Sequence, residues 1–250
     1  MIGINIVPRI TRKRQIRKTM FWILVSGAAL LWAADPPWKS KSIRDWTAED
    51  AGLVLRDSPW AANVRSAVMP LQSESARVAG GNMGQPQGVG YAGVDNTTDK
   101  QKVAKVLSGD FSGSAPIPPI ALRVRWESAL PVRAAELKAH EVEPPTLDGE
   151  GYRIAVYGIP GSYLKGDPKT LGEPLKKGAS LHREGKPDVK PTRVEYFQTS
   201  GGGVVAYLFP FSAELSEKDT LVAFSALIGR IAVVHSFDLR DMRFEGKLEL

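Results

Sequence analysis

The chain has 250 residues, enough for one ordinary domain with accessory segments. It contains no cysteine, which excludes disulfides, a thiol nucleophile, a cysteine-ligated metal and a lipidated N-terminal cysteine. All of the formal net charge of +6 comes from the segment 1–34, and the remainder balances 27 basic against 27 acidic residues, so the charge gives no support for nucleic-acid binding.

Residues 1–34 are predicted to be a cleavable signal peptide. A basic stretch at 9–18 precedes an uncharged apolar run, MFWILVSGAALLWAA, at 20–34. About 15 apolar residues suit a signal sequence and fall short of the roughly 20 that a membrane-spanning helix needs. We expect cleavage after Ala33 or Ala34 and a periplasmic or extracellular location. The alternatives are an uncleaved inner-membrane anchor with the domain outside the cytoplasm, or a buried apolar helix.

Residues 35–70 are predicted to be a helical lead-in that packs on the main body. Thr47 can cap a helix that begins with acidic residues and carries an apolar stripe, and an extended run follows it. Trp46 and Trp60 bracket this helix, and we expect them to dock it onto the β-rich body. The alternative is that these tryptophans, with Trp38 and Trp126, form an exposed face that binds sugar or protein.

Residues 71–116 are predicted to be a low-complexity loop or linker, because Gly, Ser, Gln, Asn and Asp dominate them and apolar periodicity is lost. Gly88–Gly93 within this segment matches G-x-G-x-x-G. That fingerprint binds a dinucleotide only where it follows a strand and opens a helix. The match is therefore interpreted as coincidence, and no cofactor is predicted.

Residues 117–250 are predicted to form a β-rich domain. Alternating or continuous apolar residues indicate strands at 122–126, 152–156, 194–197, 204–211, 221–228 and 231–237. Residues 242–250 alternate strictly between apolar and charged, which predicts one last strand with a dry face and a wet face.

Local signals within the main body predict hairpins and helices. Gly229-Arg230 suits a type II′ turn, and Gly201-Gly202-Gly203 fits a second hairpin turn because the Lys-Ser/Thr of a phosphate loop is missing. Pro131 opens a helix that runs to about His140, and a short helix at 171–175 precedes an edge piece at 179–181. The fold class is therefore α+β, predominantly an antiparallel β-sheet or sandwich with one or two helices.

No metal site is predicted from the three histidines. His140, His182 and His235 are far apart in sequence, and no pair has the spacing of a zinc-binding helix. His235 falls in a strand on the same face as Val233 and Phe237, so we interpret it as a structural imidazole.

Paired acids are the residues best able to support an enzymatic activity. Glycoside hydrolysis needs two carboxylates at a defined separation. The candidate pairs are Glu141/Glu143, Asp148/Glu150 and Asp238/Asp241. Each pair lies in a polar loop or at a strand end, where solvated acids are ordinary, and no G-x-S-x-G elbow is present. No catalytic, cofactor-binding or metal-ligating residue is therefore predicted.

Three blocks of the sequence resemble a family of uncharacterised exported bacterial proteins. The first block, residues 36–64, carries W-T-x-E-D and D-S-P-W-A around the lead-in helix. The second, residues 121–139, carries an R-W-x-S-A step from a strand to a helix, and the third is residues 237–250. The resemblance implies export and one shared fold that includes the lead-in. It carries over no catalytic residue.

The sequence thus predicts an exported protein whose role is structural or a protein interaction, without enzymatic activity. Its partner is unknown, with another envelope protein as the candidate, and it meets the membrane only through the leader. One alternative is a carboxylate-dependent hydrolase of envelope or environmental polymer. Another is an envelope assembly factor that binds extended peptide or lipid along a sheet edge.

Overall fold

The chain divides into two units, residues 1–36 and 37–250, and the elements below belong to the second. The computed structural model describes residues 35–69, 117–140, 147, 149–164, 168–216 and 218–250. The predicted leader at 1–34 and the predicted linker at 71–116, with Gly88–Gly93, lie outside the described residues.

Four α-helices occur in the described part of the chain. They are α1 (Pro37–Ser40), α2 (Ala48–Arg56), α3 (Leu130–Ala139) and α4 (Pro168–Lys177). Short 3₁₀ turns lie at Ile43–Asp45, Gly161–Tyr163 and Phe211–Ala213. The predicted cap of α2 is confirmed, since Thr47 accepts the N–H of Asp50 at 3.1 Å while the Asp50 carboxylate accepts the N–H of Thr47 at 2.9 Å.

Eight strands form one curled antiparallel sheet, in the order β4-β7-β8-β1-β2-β3-β6-β5. They are β1 (Ala61–Val68), β2 (Ile120–Trp126), β3 (Tyr152–Ile159), β4 (Ala179–Arg183), β5 (Arg193–Thr199), β6 (Gly202–Phe209), β7 (Leu221–Ile228) and β8 (Ile231–Asp238). The α+β class with a mainly antiparallel sheet is confirmed.

Strand β1 joins two halves of this sheet. Its residues 61–66 pair with β2, whereas only Ala67 and Val68 pair with β8. We call β1, β2, β3, β6 and β5 the first half, and β8, β7 and β4 the second half. Alternate residues of both halves, such as Val124 and Phe224, point to one apolar core inside the curl. That side is the inner face, and the opposite side is the outer face.

The lead-in helix and the end of the chain pack together on this core. Trp46 is buried edge-to-face against Phe244 with ring centroids 5.7 Å apart. Trp60 is fully buried and donates its indole N–H to the carbonyl of Glu249 at 2.8 Å. Trp46 and Trp60, on either side of α2, thus contact the C-terminal segment through buried rings, and burial of such rings stabilises a core.

Both edges of the sheet are covered. Helix α4 lies against β5 so closely that a Cβ added at Gly172 would stand 3.5 Å from the carbonyl oxygen of Val194. On the other edge, Val189 and Leu181 of β4 exchange both backbone hydrogen bonds, each 2.9 Å long. Neither edge therefore presents a long row of free backbone groups to another chain.

The predicted last strand at 242–250 is wrong as a single element. The chain folds back as two short strands, β9 (Arg243–Phe244) and β10 (Lys247–Leu248). Glu245 and Gly246 lie between them with φ of 49° and 79°, which are the left-handed values that a two-residue hairpin turn requires. Strict alternation is compatible with either arrangement, and the turn chemistry of Glu245-Gly246 decides between them.

Candidate functional site

The strongest cluster of charged side chains lies on the outer face of the first half. It consists of Arg125 on β2, Glu127 just after β2, Glu136 on α3 and Tyr157 on β3. We call these four residues the Arg125 cluster. The alternation of β2 predicts Arg125 on a wet face, and the structure corrects this because only 1% of its side chain is exposed.

Hydrogen bonds and charge contacts link the four members. The Arg125 guanidinium donates from Nη1 to Glu136 Oε1 at 3.2 Å, and its Nε lies 3.7 Å from Glu127 Oε1. The Tyr157 hydroxyl donates to the same Glu127 oxygen at 2.5 Å. The guanidinium carbon also lies 4.7 Å from the centre of the Tyr157 ring, a cation–π contact.

Burial sets the protonation of this cluster. The side chains of Glu127 and Glu136 are 12% and 16% exposed. Burial, followed by the negative charge and hydrogen bond of Glu127, raises the pKa of Glu136 to about 9, and the Arg125 charge opposes the rise only in part. Burial also raises the pKa of Tyr157 well above its ordinary value, with Glu127 adding to the rise. At neutral pH Glu136 therefore holds a proton and Tyr157 remains a hydrogen-bond donor.

This arrangement can hold a proton, but its geometry does not suit glycoside hydrolysis. Strongly perturbed titratable groups in one cluster mark a functional-site candidate. A retaining glycosidase, however, keeps its two carboxyl groups about 5 Å apart. Here both carboxyl groups contact the Arg125 guanidinium, Glu136 at 3.2 Å and Glu127 at 3.7 Å, and the same Glu127 oxygen accepts from Tyr157. The cluster therefore links α3 to β2 and β3 through the contacts of Glu136, Arg125 and Tyr157.

The acid pairs that the sequence nominates contribute no such cluster. Glu141, Glu143 and Asp148 lie outside the described residues. Glu150 is exposed at a bend. Asp238 accepts a 2.5 Å hydrogen bond from Arg240, which lowers its pKa, and Asp241 is exposed nearby. Asp238 is thus a solvated, ion-paired acid.

The three histidines lie in different elements. His140 ends α3 with φ of 50°. His182 is exposed on β4, with Nδ1 2.9 Å from Asp188 Oδ1. His235 lies on β8 with its ring 4.5 Å from that of Phe237, and burial lowers its pKa. Within the described part of the chain, no group of three potential metal-binding side chains occurs.

Aromatic side chains form a continuous edge-to-face series through the core. The Trp126 ring lies 5.0 Å from Phe237 and 6.0 Å from Tyr152, and Tyr152 continues to the half-exposed Phe211 at 5.0 Å. Trp126 therefore contacts β8 and β3, which belong to different halves of the sheet. These rings support packing, and they do not form the exposed sugar-stacking face that the tryptophans otherwise suggest.

Sequence reasoning missed the Arg125 cluster. Arg125 and Glu127 are two residues apart, so period two places them on one face of β2, which is a detectable signal. Tyr157 lies 30 residues beyond Glu127, and only the pairing of β2 with β3 brings it there. No local pattern predicts that pairing or the contact of Glu136 on α3 with Arg125 on β2.

Comparisons with protein-family models, curated proteins and solved structures found no match for this chain. Among the described residues, no helix is long and apolar enough to cross a bilayer.

Proposed function

We propose that this protein is an exported, non-enzymatic interaction module that folds after its leader is removed. The observation that carries the proposal is the position of the unit boundary between residues 36 and 37. The predicted cleavage after Ala33 or Ala34 falls just before that boundary. Removal of the leader would therefore leave the unit 37–250 intact with its own core.

The first residues of that unit are packed, which supports a functional start at this point. Pro37 is buried, and Trp38 lies edge-to-face against Trp60 with centroids 6.4 Å apart. Lys41 holds Asp50 at the start of α2 through a 2.8 Å ion pair. A chain cut after Ala34 would retain all of these contacts.

The use of the chemically capable side chains supports a role without catalysis. Glu127 and Glu136 contact Arg125. Large aromatic rings such as Trp126 and Phe237 pack against each other in the core. Val189 and α4 also cover the two edges of the sheet, so an extended peptide would find few free backbone groups to pair with there. An interaction would then use a side-chain surface.

The outer face of β7 and β8 is the surface that best supports such an interaction. It is built from small and apolar side chains and carries no charge between its ends. Its exposed or half-buried members include Leu221, Ala223, Ser225, Leu227, Val234 and Ser236. Leu221 is 52% exposed. An uncharged surface complements an uncharged partner surface. Because we propose that this chain is exported, we assign the partner to another exported protein of the cell envelope.

Export is tested by recovering the protein from the cell envelope and sequencing its N-terminus. The expected product begins at Ala34 or Asp35. A Leu24→Arg variant should block processing because a charge interrupts the apolar run. The matched control, Leu137→Arg, changes an exposed residue of α3 and should be processed normally. Recovery of a soluble cytosolic chain that still begins at Met1 would overturn the proposal.

The interaction is tested with a photo-crosslinking residue at position 221 or, as the control, at position 137, which is 78% exposed on α3. We expect one discrete adduct with an exported protein from position 221 and none from position 137. Equal adducts from both positions, or none from position 221, would contradict the assignment of this face.

A further inference from the structure

The Arg125 cluster contains more carboxyl groups than its buried cation can neutralise. Glu127 and Glu136 are both largely buried beside the guanidinium of Arg125. If both were ionised, the described members would carry a net negative charge in a poorly solvated site, which is costly. Glu127 has a second stabilising donor in the Tyr157 hydroxyl, whereas Glu136 has Arg125 as its described donor. Glu136 is therefore the member that keeps the proton.

We propose that the Arg125 cluster is a proton-dependent latch that holds α3 against β2 and β3 and weakens as the pH rises. The latch spans three elements, since α3 supplies Glu136, β2 supplies Arg125 and β3 supplies Tyr157. Folding takes up one proton at this latch. The inference goes beyond the proposed interaction role and stands independently of export.

The groups that face Glu136 set the direction of the effect. Arg125 favours the ionised form, while Glu127 opposes it by repulsion and by hydrogen bonding. Tyr157 stays neutral throughout the relevant range. Arg123 is the next outer-face cation on β2, directly across from Tyr157. On the neighbouring helix α2, Asp50 is already engaged by Lys41.

The pH dependence follows from the raised pKa of Glu136. An unfolded glutamate ionises near pH 4.5, whereas folded Glu136 keeps its proton to about pH 9. Between these values the folded state binds one more proton than the unfolded state, so folding weakens as the pH rises. One such proton changes the folding equilibrium constant by about tenfold per pH unit, and the contribution is fully present only below the unfolded pKa.

The test compares the wild-type chain with Glu136→Gln in urea unfolding between pH 6 and pH 8. The amide keeps the shape, accepts from Arg125 and donates to Glu127, but does not titrate. We expect the folding constant of the wild type, divided by that of the variant, to fall by about a hundredfold across these two pH units. The control Glu173→Gln removes an exposed glutamate of α4 and should leave the wild-type profile unchanged. Parallel profiles of wild type and Glu136→Gln would overturn the latch.

A second measurement keeps the proposal open to refutation if Glu136→Gln does not fold. Infrared spectroscopy of the wild-type chain in heavy water at neutral pH should show the stretch of a protonated carboxyl group, and this band should disappear as the pH passes about 9. A folded wild-type protein without this band at neutral pH would show that both carboxyls are ionised, and the latch would be refuted.

Discussion

The outer faces of the two halves of the sheet differ in charge. The first half carries arginines on four of its strands, at Arg65, Arg123, Arg125, Arg153 and Arg193. The second half presents an uncharged surface between His182 on β4 and Asp238 at the end of β8. One half thus uses its outer face for internal charge contacts, whereas the outer face of the other half is the surface that we propose for external contact.

Three of these arginines are held by described neighbours. Arg125 contacts Glu127 and Glu136, and Arg193 pairs with Glu195 on the same strand. Arg153 donates to the carbonyl of Gly149 at 3.1 Å. On the second half, Ser180 and Ser225 form a neutral contact instead, with their hydroxyls 3.0 Å apart. Substitutions should therefore cost more on the first half than on the second.

The largest effect is expected where the two halves share one core. Trp126→Ala removes a fully buried ring that contacts Phe237 of the second half and Tyr152 of the first. We expect the free energy of unfolding to fall by about 3–5 kcal/mol, because the cavity adds to the lost burial. Urea denaturation measures this loss. The control Leu137→Ala, on the exposed side of α3, should lower the free energy of unfolding by less than about 0.5 kcal/mol. Equal losses for both variants would mean that Trp126 does not join the two halves.

Loss of the buried cation should rank next. Arg125→Met keeps apolar volume but leaves Glu127 and Glu136 without the guanidinium, so the free energy of unfolding should fall by about 3 kcal/mol at pH 7. The control is Arg193→Met, which breaks an exposed pair on the same half and should cost at most about 1 kcal/mol. A loss no larger than the control's would show that the Arg125 cluster does not stabilise the fold.

On the second half, Ser180→Ala should have a smaller effect. It leaves the partly buried hydroxyl of Ser225 without its partner, and a neutral hydrogen bond contributes about 1 kcal/mol. The same unfolding experiment measures this loss. If Ser180→Ala cost as much as Arg125→Met, the contrast between the two outer faces would not hold.

Local signals predicted the hairpins and helix starts, whereas long-range contacts determined the rest. The turn at Gly229-Arg230 joins β7 to β8 as expected, with φ of 59° at Gly229. Thr47 caps α2 as expected. By contrast, β1 pairs with β2 across a long stretch of sequence, and β3 pairs with β6 although two strands lie between them in the chain. Apolar periodicity specifies which face of a strand is buried but not its neighbour.

The same limit explains why the candidate site was missed. Alternation assigns a charged residue to the wet face, and Arg125 on β2 breaks that rule because its partners cover it. Glu136 shares α3 with exposed residues such as Leu137, so its helix position alone gives no sign of a raised pKa. Burial and charge contacts between distant elements raise it, and neither can be read from spacing.

We expect the smallest change in the free energy of unfolding at the edge of the uncharged face. The same substitution should have the largest effect on partner binding. Leu221 is half exposed, so Leu221→Lys should change the free energy of unfolding by no more than about 0.5 kcal/mol. The lysine nevertheless places a charge on the face that we assign to a partner. A crosslinking residue at Ser236, on the neighbouring strand of that face, should then lose its adduct. Leu137→Lys is the matched control and should retain it. If the adduct persisted in Leu221→Lys, the uncharged face would not be the binding surface. The two outer faces would then differ in composition but not in function.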